Sequence, residues 1–133
     1  DKFLGDGVMA IFGAPVPVAN HEMAAVRAAL EMRASLDRLR EDTGVRVGFG
    51  IGLNAGQAIV GNIGTSQLMN YTAIGDVVNV AARLQSEARS GEILISEAIL
   101  DRVRDAVVFE ELSEIYVKGR SEPVLTFKLL GLR

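Results

Sequence analysis

Asn79 and Arg83 lie four residues apart in residues 77–84, a segment that is otherwise apolar. On a helix, residues with this spacing share one face. An amide beside a guanidinium can hold a substrate that carries hydroxyl and phosphate groups, because Arg binds anions through paired N–H donors. The alternative is that the Asn79 amide forms hydrogen bonds with the backbone and that the Arg83 side chain extends to water, because a buried polar group without a hydrogen-bond partner is costly. These residues alone leave both interpretations open.

Asp6 stands between Gly5 and Gly7, in the Asp-Gly order that is typical of a tight hairpin turn. A carboxylate at a hairpin tip is a hard oxygen ligand that suits Mg²⁺, which binds one or two carboxylates together with substrate phosphates. The structural alternative is a turn without further function, because both residue types favour turns. A single carboxylate does not decide between the two.

Two lysines are further candidates for contacts with an anionic substrate. Lys118 lies in the basic segment 117–120, Val-Lys-Gly-Arg, and Lys2 lies in a short predicted strand. An ammonium group binds phosphate as a point charge. A basic turn is more often a solvated loop, however, and a lysine in a strand is equally ambiguous. Neither lysine indicates a site by itself.

The composition excludes several kinds of chemistry. The 133 residues contain no cysteine and one histidine, His21. Disulfides, thiolate nucleophiles and zinc–thiolate sites are therefore excluded, and a multi-histidine metal site or a Ser-His-Asp triad is disfavoured. His21 is expected to be a solvated residue in the first turn of a helix. A net charge of −3 and an aromatic content of 5% argue against a nucleic-acid partner.

One apparent motif is misleading. Residues 50–55, Gly-Ile-Gly-Leu-Asn-Ala, satisfy a permissive G-x-G-x-x-A dinucleotide pattern. That fingerprint must close a strand and open a helix. Here it lies inside and at the end of one predicted strand and is followed by another. A dinucleotide site is therefore not predicted.

Apolar periodicity and turn residues predict one α+β domain over residues 1–133, with helices packed on a largely antiparallel sheet. No run of about 18 apolar residues is present, so no membrane contact is expected from this domain. The predicted strands cover residues 2–4, 8–12, 45–53, 57–63, 67–74, 92–95, 107–117 and 123–130, and the predicted helices cover residues 21–41, 77–88 and 97–104.

Local signals predict how these elements begin and meet. Asn20, Asp76 and Ser96 are predicted N-caps of the three helices, and Gly44 is predicted to end the first helix. Glycines alternate with apolar residues in the strand 45–53. Because glycine has no side chain, this alternation predicts that another element packs very close to one face of that strand.

Four blocks of sequence, in order, resemble the catalytic domains of class III nucleotidyl cyclases, particularly those of bacterial adenylyl cyclases. They are KFLGDGVMAIFGAP at residues 2–15, GQAIVGNIG at 56–64, YTAIGDVVNVAARL at 71–84 and YVKGR at 116–120. Four ordered blocks that extend over nearly the whole chain are far more specific than any one residue.

The resemblance implies a ferredoxin-like cyclase fold that forms a head-to-tail homodimer, with active sites built across the interface. Residues 64–71 resemble an arm that contributes to dimerisation. Domains of this family also carry an earlier strand and two helices, and that strand bears the first metal-binding aspartate. Because Asp1 cannot take that role, the first aspartate is expected upstream of Asp1, and the domain at 1–133 is expected to be N-terminally incomplete and impaired in activity.

The resemblance also implies a role for each candidate residue. Asp6 matches the second metal aspartate, in a site for two Mg²⁺ or Mn²⁺ ions. Lys2 matches the lysine that reads the adenine ring, where guanylyl cyclases carry Glu, and Thr72 matches the second base-reading position. Asn79 matches the residue that orients the ribose. Arg83 matches the arginine that binds the α-phosphate, and Lys118 matches the lysine that contacts the terminal phosphates.

The implied activity is conversion of ATP to 3′,5′-cyclic AMP and pyrophosphate. Two alternatives remain: a cyclase-homology module that only dimerises or binds nucleotide, and a guanylate cyclase. The domain is expected to be cytoplasmic, in a parent protein that other modules can attach to a membrane. All five site residues Lys2, Asp6, Asn79, Arg83 and Lys118 are present, which favours the enzyme.

Overall fold

The structure is a computed structural model and describes residues 2–4, 7–14, 16–44, 48–63 and 70–133. Over these residues the element order is that of the sequence prediction. The strands are β1 (Lys2–Leu4), β2 (Gly7–Met9), β3 (Ile51–Leu53), β4 (Ile59–Ile63), β5 (Asn70–Ile74), β6 (Ile93–Ser96), β7 (Val107–Glu111) and β8 (Thr126–Leu132). The helices are α1 (His21–Thr43), α2 (Asp76–Glu87) and α3 (Glu97–Val103), and a 3₁₀ turn follows at Arg104–Ala106.

The largest sheet has four strands in the order β3-β6-β8-β7. β3 runs parallel to β6, whereas β8 is antiparallel to both β6 and β7. Two antiparallel hairpins, β1–β2 and β4–β5, pair separately from it within the described chain. The predicted α+β class with a largely antiparallel sheet is confirmed.

Alternating side chains of β6 divide the core into two clusters, because successive residues of a strand point to opposite faces. One cluster, which includes Ile93 and Ile95, packs against α1 and α3 and contains Val26, Ala29, Ile99, Leu100, Val103, Val107, Phe127 and Leu129. The other includes Leu94 and contains Val80 and Leu84 of α2 together with Val117 and Val124. Helix α2 therefore covers its own face of the sheet.

Helix α2 lies directly on the glycines of the segment that contains β3. A Cβ on Gly50 would stand 2.7 Å from both the Cβ and the carbonyl oxygen of Ala88. A Cβ on Gly52 would overlap the carbonyl of Ala81 and the backbone nitrogen of Gln85. The predicted close approach to the glycine face is confirmed, and α2 is the element that makes it.

The structure corrects several predicted element boundaries. Of the strand predicted at 45–53, only Ile51–Leu53 forms a regular strand among the described residues, although the carbonyl of Phe49 accepts from the N–H of Gly91 at 2.9 Å; residues 45–47 lie outside the described part. β7 ends at Glu111, well before the predicted residue 117. Beyond β7, pairing with the chain before β8 continues only at isolated points within the described residues, at the N–H of Leu112 with the carbonyl of Thr126 and in a bridge between Ile115 and Val124, and Val117 lies in the core beneath α2.

The predicted caps are partly wrong. Gly44 ends α1 as predicted, with φ 70° and its N–H bonded to the carbonyl of Arg40 at 2.9 Å. Asn20 and Ser96 occupy N-cap positions, but neither makes a side-chain capping hydrogen bond. Asp76 is instead the first residue of α2, preceded by Gly75 with φ 143°. This left-handed region favours glycine, so Gly75 makes the sharp entry into α2.

No helix in the described ranges is long and apolar enough to cross a membrane.

Candidate active site

Helix α2 presents Asn79 and Arg83 to solvent, one turn apart. Its apolar side is fixed by Val80 and Leu84, which are 1% and 0% exposed, so the neighbouring polar residues face outward. The Asn79 side chain makes no hydrogen bond to another described residue. Arg83 donates from Nε to Oε1 of Glu87 at 2.9 Å. The amide and the guanidinium are thus both accessible on a helix that is rigidly packed.

Lys118 extends from a turn that packs against the same helix. Val117, which is 9% exposed, lies in the cluster with Val80 and Leu84, and Lys118 follows it in the exposed turn. The N–H of Arg120 donates to the carbonyl of Val117 at 3.0 Å and closes the turn. Lys118 makes no ion pair with any residue that the structure describes. Within the described part of the chain, nothing neutralises its ammonium group.

An ion pair not predicted from sequence joins this turn to the first residue of α2. Nη1 of Arg120 contacts Oδ2 of Asp76, 44 positions earlier in the chain. A carboxylate at a helix N-terminus is favoured by the helix dipole, so Asp76 is well placed to receive the guanidinium. The only sequence signal was an acid at the start of one helix and a base in a distant turn, and neither identifies its partner.

A second contact that sequence reasoning missed holds the first turn of α2 against the sheet. Asn54 donates from Nδ2 to the carbonyl of Val77 at 3.1 Å, and its Oδ1 accepts from Oγ of Ser96 at 2.6 Å. Ser96 is 3% exposed. The buried hydroxyl of Ser96 donates its hydrogen bond to Asn54 and makes no capping hydrogen bond to α3. Asn54 had appeared in the sequence only as part of the rejected dinucleotide pattern.

The remaining predicted site residues lie on the two hairpins. Lys2 pairs with Met9 in β1–β2, and Thr72 pairs with Gly61 in β4–β5. β5 leads through Gly75 directly into α2, so the strand of Thr72 is continuous with the helix of Asn79. The structure thus places Asn79 and Arg83 on α2 and Lys118 on a turn that packs against α2, whereas Lys2 and Thr72 lie on separate hairpins.

The described residues do not form a metal centre by themselves. Among them, no group of three or more His, Cys, Asp or Glu side chains is placed to hold an ion. The predicted metal ligand Asp6 lies outside the described residues, as do residues 64–69 of the predicted dimerisation arm. His21, the one histidine, lies 3.1 Å from Glu22 at the start of α1.

The sequence model of the family described as the adenylate and guanylate cyclase catalytic domain matches residues 2–131. The chain belongs to this family. The cyclase domain is 34% identical over 139 residues to adenylate cyclase 1 of Rhizobium meliloti, a match that covers 98% of this chain and 21% of that protein. It thus spans about a fifth of that relative's length.

Solved structures agree with this membership. The cyclase domain is 37% identical to the adenylyl cyclase CyaB from P. aeruginosa, with a TM-score of 0.90, over 100% of this chain and 71% of that one. It is 29% identical to the guanylate cyclase domain of RhGC from Catenaria anguillulae in complex with GTP, with a TM-score of 0.82, over 92% of this chain and 66% of that one. The predicted family and the predicted cyclase fold are confirmed.

Proposed function

We propose that this chain is the catalytic domain of an adenylate cyclase that converts ATP to 3′,5′-cyclic AMP and pyrophosphate. The observation that carries the proposal is the exposed pair Asn79 and Arg83 on α2, with the free ammonium of Lys118 on a turn tied to the same helix. An amide, a guanidinium and an ammonium match the ribose, the α-phosphate and the terminal phosphates of a nucleoside triphosphate.

The proposed chemistry is an in-line displacement at the α-phosphorus. A bond forms between the ribose 3′-oxygen and the α-phosphorus, the bond to the β-phosphate oxygen breaks, the 3′-hydroxyl loses its proton and pyrophosphate leaves. Asn79 orients the ribose so that its 3′-oxygen faces the phosphorus. Arg83 binds the α-phosphate, where charge develops in the transition state, and preorganised donors at such a position are a major source of rate enhancement. Lys118 binds the terminal phosphates.

The preference for ATP rests on Lys2 and Thr72. A lysine ammonium only donates hydrogen bonds, and it suits the acceptor nitrogens of adenine. A threonine hydroxyl both donates and accepts, so it adapts to the neighbouring base edge. Glutamate at position 2 would suit guanine instead. Both residues lie on described strands, β1 and β5.

We further propose a homodimer whose interface includes the two hairpins. Large apolar side chains on or beside them are strongly exposed: Val8 is 63% exposed, Ile59 69% and Ile74 47%. Apolar surface of this kind is typical of an interaction site. Class III cyclase domains generally use divalent metal ions; in our proposal Asp6 supplies one carboxylate ligand. We place the domain in the cytoplasm.

The proposal is tested by product analysis of the full-length protein with Mg²⁺ or Mn²⁺. We expect cyclic AMP from ATP and little cyclic GMP from GTP, and we expect Lys2→Glu to shift the preference toward GTP. Cyclic GMP as the main wild-type product would contradict the role of Lys2 and support a guanylate cyclase, which the similarity to the GTP-bound guanylate cyclase domain keeps as the second candidate. Nucleotide binding without either product would indicate a non-catalytic cyclase-homology module.

A further inference from the structure

We infer that Arg120 is a positioning residue, which through Asp76 holds the Lys118 turn against α2 so that the ammonium group meets the terminal phosphates. This inference rests on the proposed function, because it concerns how the triphosphate is bound. It adds two residues, Asp76 and Arg120, that the sequence pattern did not single out as part of the site.

The Lys118 turn is fixed on both sides of the lysine. On one side Val117 is buried in the cluster with Val80 and Leu84 of α2. On the other side Arg120 contacts Asp76 at the start of α2. Lys118 and Gly119 form the short bridge between these two points, and Gly119 has φ 89°, a conformation that few residues other than glycine adopt. Both contacts are made with residues of α2, the helix that carries Asn79 and Arg83.

Among the described contacts, loss of the outer anchor would leave Val117 to hold the turn against α2. The backbone hydrogen bond from the N–H of Arg120 to the carbonyl of Val117, at 3.0 Å, closes the turn but does not attach it to α2. A lysine on a loosened turn binds phosphate less tightly, because ordering the loop then costs entropy at each binding event. The anchor therefore acts mainly on substrate binding.

A competing interpretation is that Arg120 binds the phosphates of the substrate directly and pairs with Asp76 only when no substrate is bound. The two roles predict opposite effects of neutralising the aspartate. If Arg120 positions the turn, Asp76→Asn loosens it and weakens binding. If Arg120 binds phosphate directly, Asp76→Asn frees the guanidinium and strengthens binding or leaves it unchanged.

The test is a double-mutant cycle with Arg120→Ala, Asp76→Asn and the double variant, made in the full-length protein. We expect each single variant to raise KM for Mg·ATP about 3- to 5-fold with kcat within about 2-fold of wild type, and the double variant to be no worse than either. Arg120→Lys should restore part of the loss. Additive effects, or a lower KM in Asp76→Asn, would overturn the inference.

A matched control is the exposed ion pair between Asp101 and Arg104, in which Nη2 of Arg104 lies 3.4 Å from Oδ1 of Asp101. This pair is separate in sequence from the Lys118 turn. Asp101→Asn and Arg104→Ala should leave KM unchanged; an equal rise in KM would show a nonspecific effect of removing surface ion pairs and overturn the inference. Amide hydrogen exchange provides a second readout. In Asp76→Asn the Arg120 amide should exchange faster than in wild type, and unchanged exchange would contradict the anchor.

Failure of the inference and failure of the proposed function are distinguishable. If the wild-type protein makes no cyclic nucleotide, the proposed function fails, and the affinity for α,β-methylene-ATP measured by calorimetry then tests the anchor. A 3- to 5-fold weakening, about the size expected for KM, in both single variants supports it, and unchanged affinity overturns it. If the wild type is active and the variants match it in KM, only the inference fails.

Discussion

Nε of Arg83 donates to Oε1 of Glu87 one helical turn further along α2, at 2.9 Å, and both side chains are exposed to more than 40%. An exposed i, i+4 pair contributes only about 0.3–0.5 kcal/mol, and the acid-before-base order is the more favourable one. The base precedes the acid here. Arg83 can therefore exchange Glu87 for a phosphate at small cost, while the pair keeps the guanidinium extended along the helix in the absence of substrate.

The first prediction concerns Arg83 itself. Arg83→Ala should lower kcat by roughly 10²–10³ with little change in KM, because in our proposal the guanidinium binds the α-phosphate, where charge develops in the transition state. Steady-state kinetics of cyclic AMP formation with Mg·ATP measures both constants. Arg38→Ala is the matched control, since Arg38 is exposed on α1 and bonds only to Ser35 within the described chain. Equal effects on kcat and KM, or no effect, would remove Arg83 from the chemistry.

Glu87 should behave very differently from its partner. Because the pair is weak and solvated, Glu87→Gln should change kcat and KM by less than about 3-fold. The same assay measures this, and circular dichroism should show an unchanged helix content. A loss as large as that of Arg83→Ala would mean that Glu87 orients the arginine during the reaction, contrary to this expectation.

The glycine face beneath α2 yields a prediction about stability and activity together. Gly52→Ala places a Cβ against the carbonyl of Ala81 and the backbone of Gln85, so α2 must move outward. Overpacking of this kind costs about 1–3 kcal/mol. Urea unfolding should show that loss, and kcat should fall because Asn79 and Arg83 move with the helix. Gly131→Ala is the control, since a Cβ there meets nothing described within 4 Å. Equal losses in both variants would contradict the packing argument.

Much of the fold was predictable because its signals are local. The turn at Gly44 and the alternating glycines near Gly52 each require a particular backbone or a close neighbour, and both predictions are confirmed. The end of β7 was not predictable in this way. The sequence of residues 112–117 is still typical of a strand. In the structure, however, Val117 is buried in the cluster beneath α2, and this burial depends on tertiary packing that the local sequence does not show.

The candidate site divides along the same line. The positions of Asn79 and Arg83 on one helix follow from their spacing, and the shared helix is confirmed. Two contacts that hold this helix join residues far apart in the chain: Asp76 with Arg120, and Asn54 with the carbonyl of Val77. Each is a single polar contact without periodicity, so the sequence does not indicate which residues meet. The roles of the site residues stay predictions.

The hydrogen bonds of Asn54 should contribute to both stability and catalysis. Asn54→Ala leaves the buried hydroxyl of Ser96 and the carbonyl of Val77 without this partner, which costs about 1–3 kcal/mol. Urea unfolding should show that loss. Ser96→Ala removes only the buried donor and keeps the bond to Val77, so it should destabilise less and retain more of kcat. A larger loss in Ser96→Ala than in Asn54→Ala would contradict the assignment of Asn54 as the shared partner of Ser96 and Val77.

The last prediction concerns how stability depends on pH through Glu92, which directly precedes β6, and Lys128 of β8. The Arg89 backbone N–H, at 2.8 Å, lowers the pKa of Glu92, with further lowering from Lys128, whose Nζ lies 3.2 Å away. The hydrogen bond that Lys128 donates to Glu92 and the negative charge of Glu110 raise the pKa of Lys128.

Because the pKa of folded Glu92 lies below its ordinary 4.5, its contribution to the free energy of unfolding is present above that pH and is lost as the pH falls through the folded pKa. Glu92→Gln should therefore unfold at a lower urea concentration than wild type at about pH 7, and the difference should shrink below about pH 4. Urea midpoints measured across this range test it. Glu31→Gln, an exposed position on α1, is the control and should show no such difference. A Glu92→Gln difference that grows as the pH falls would have the wrong sign for a lowered carboxyl pKa.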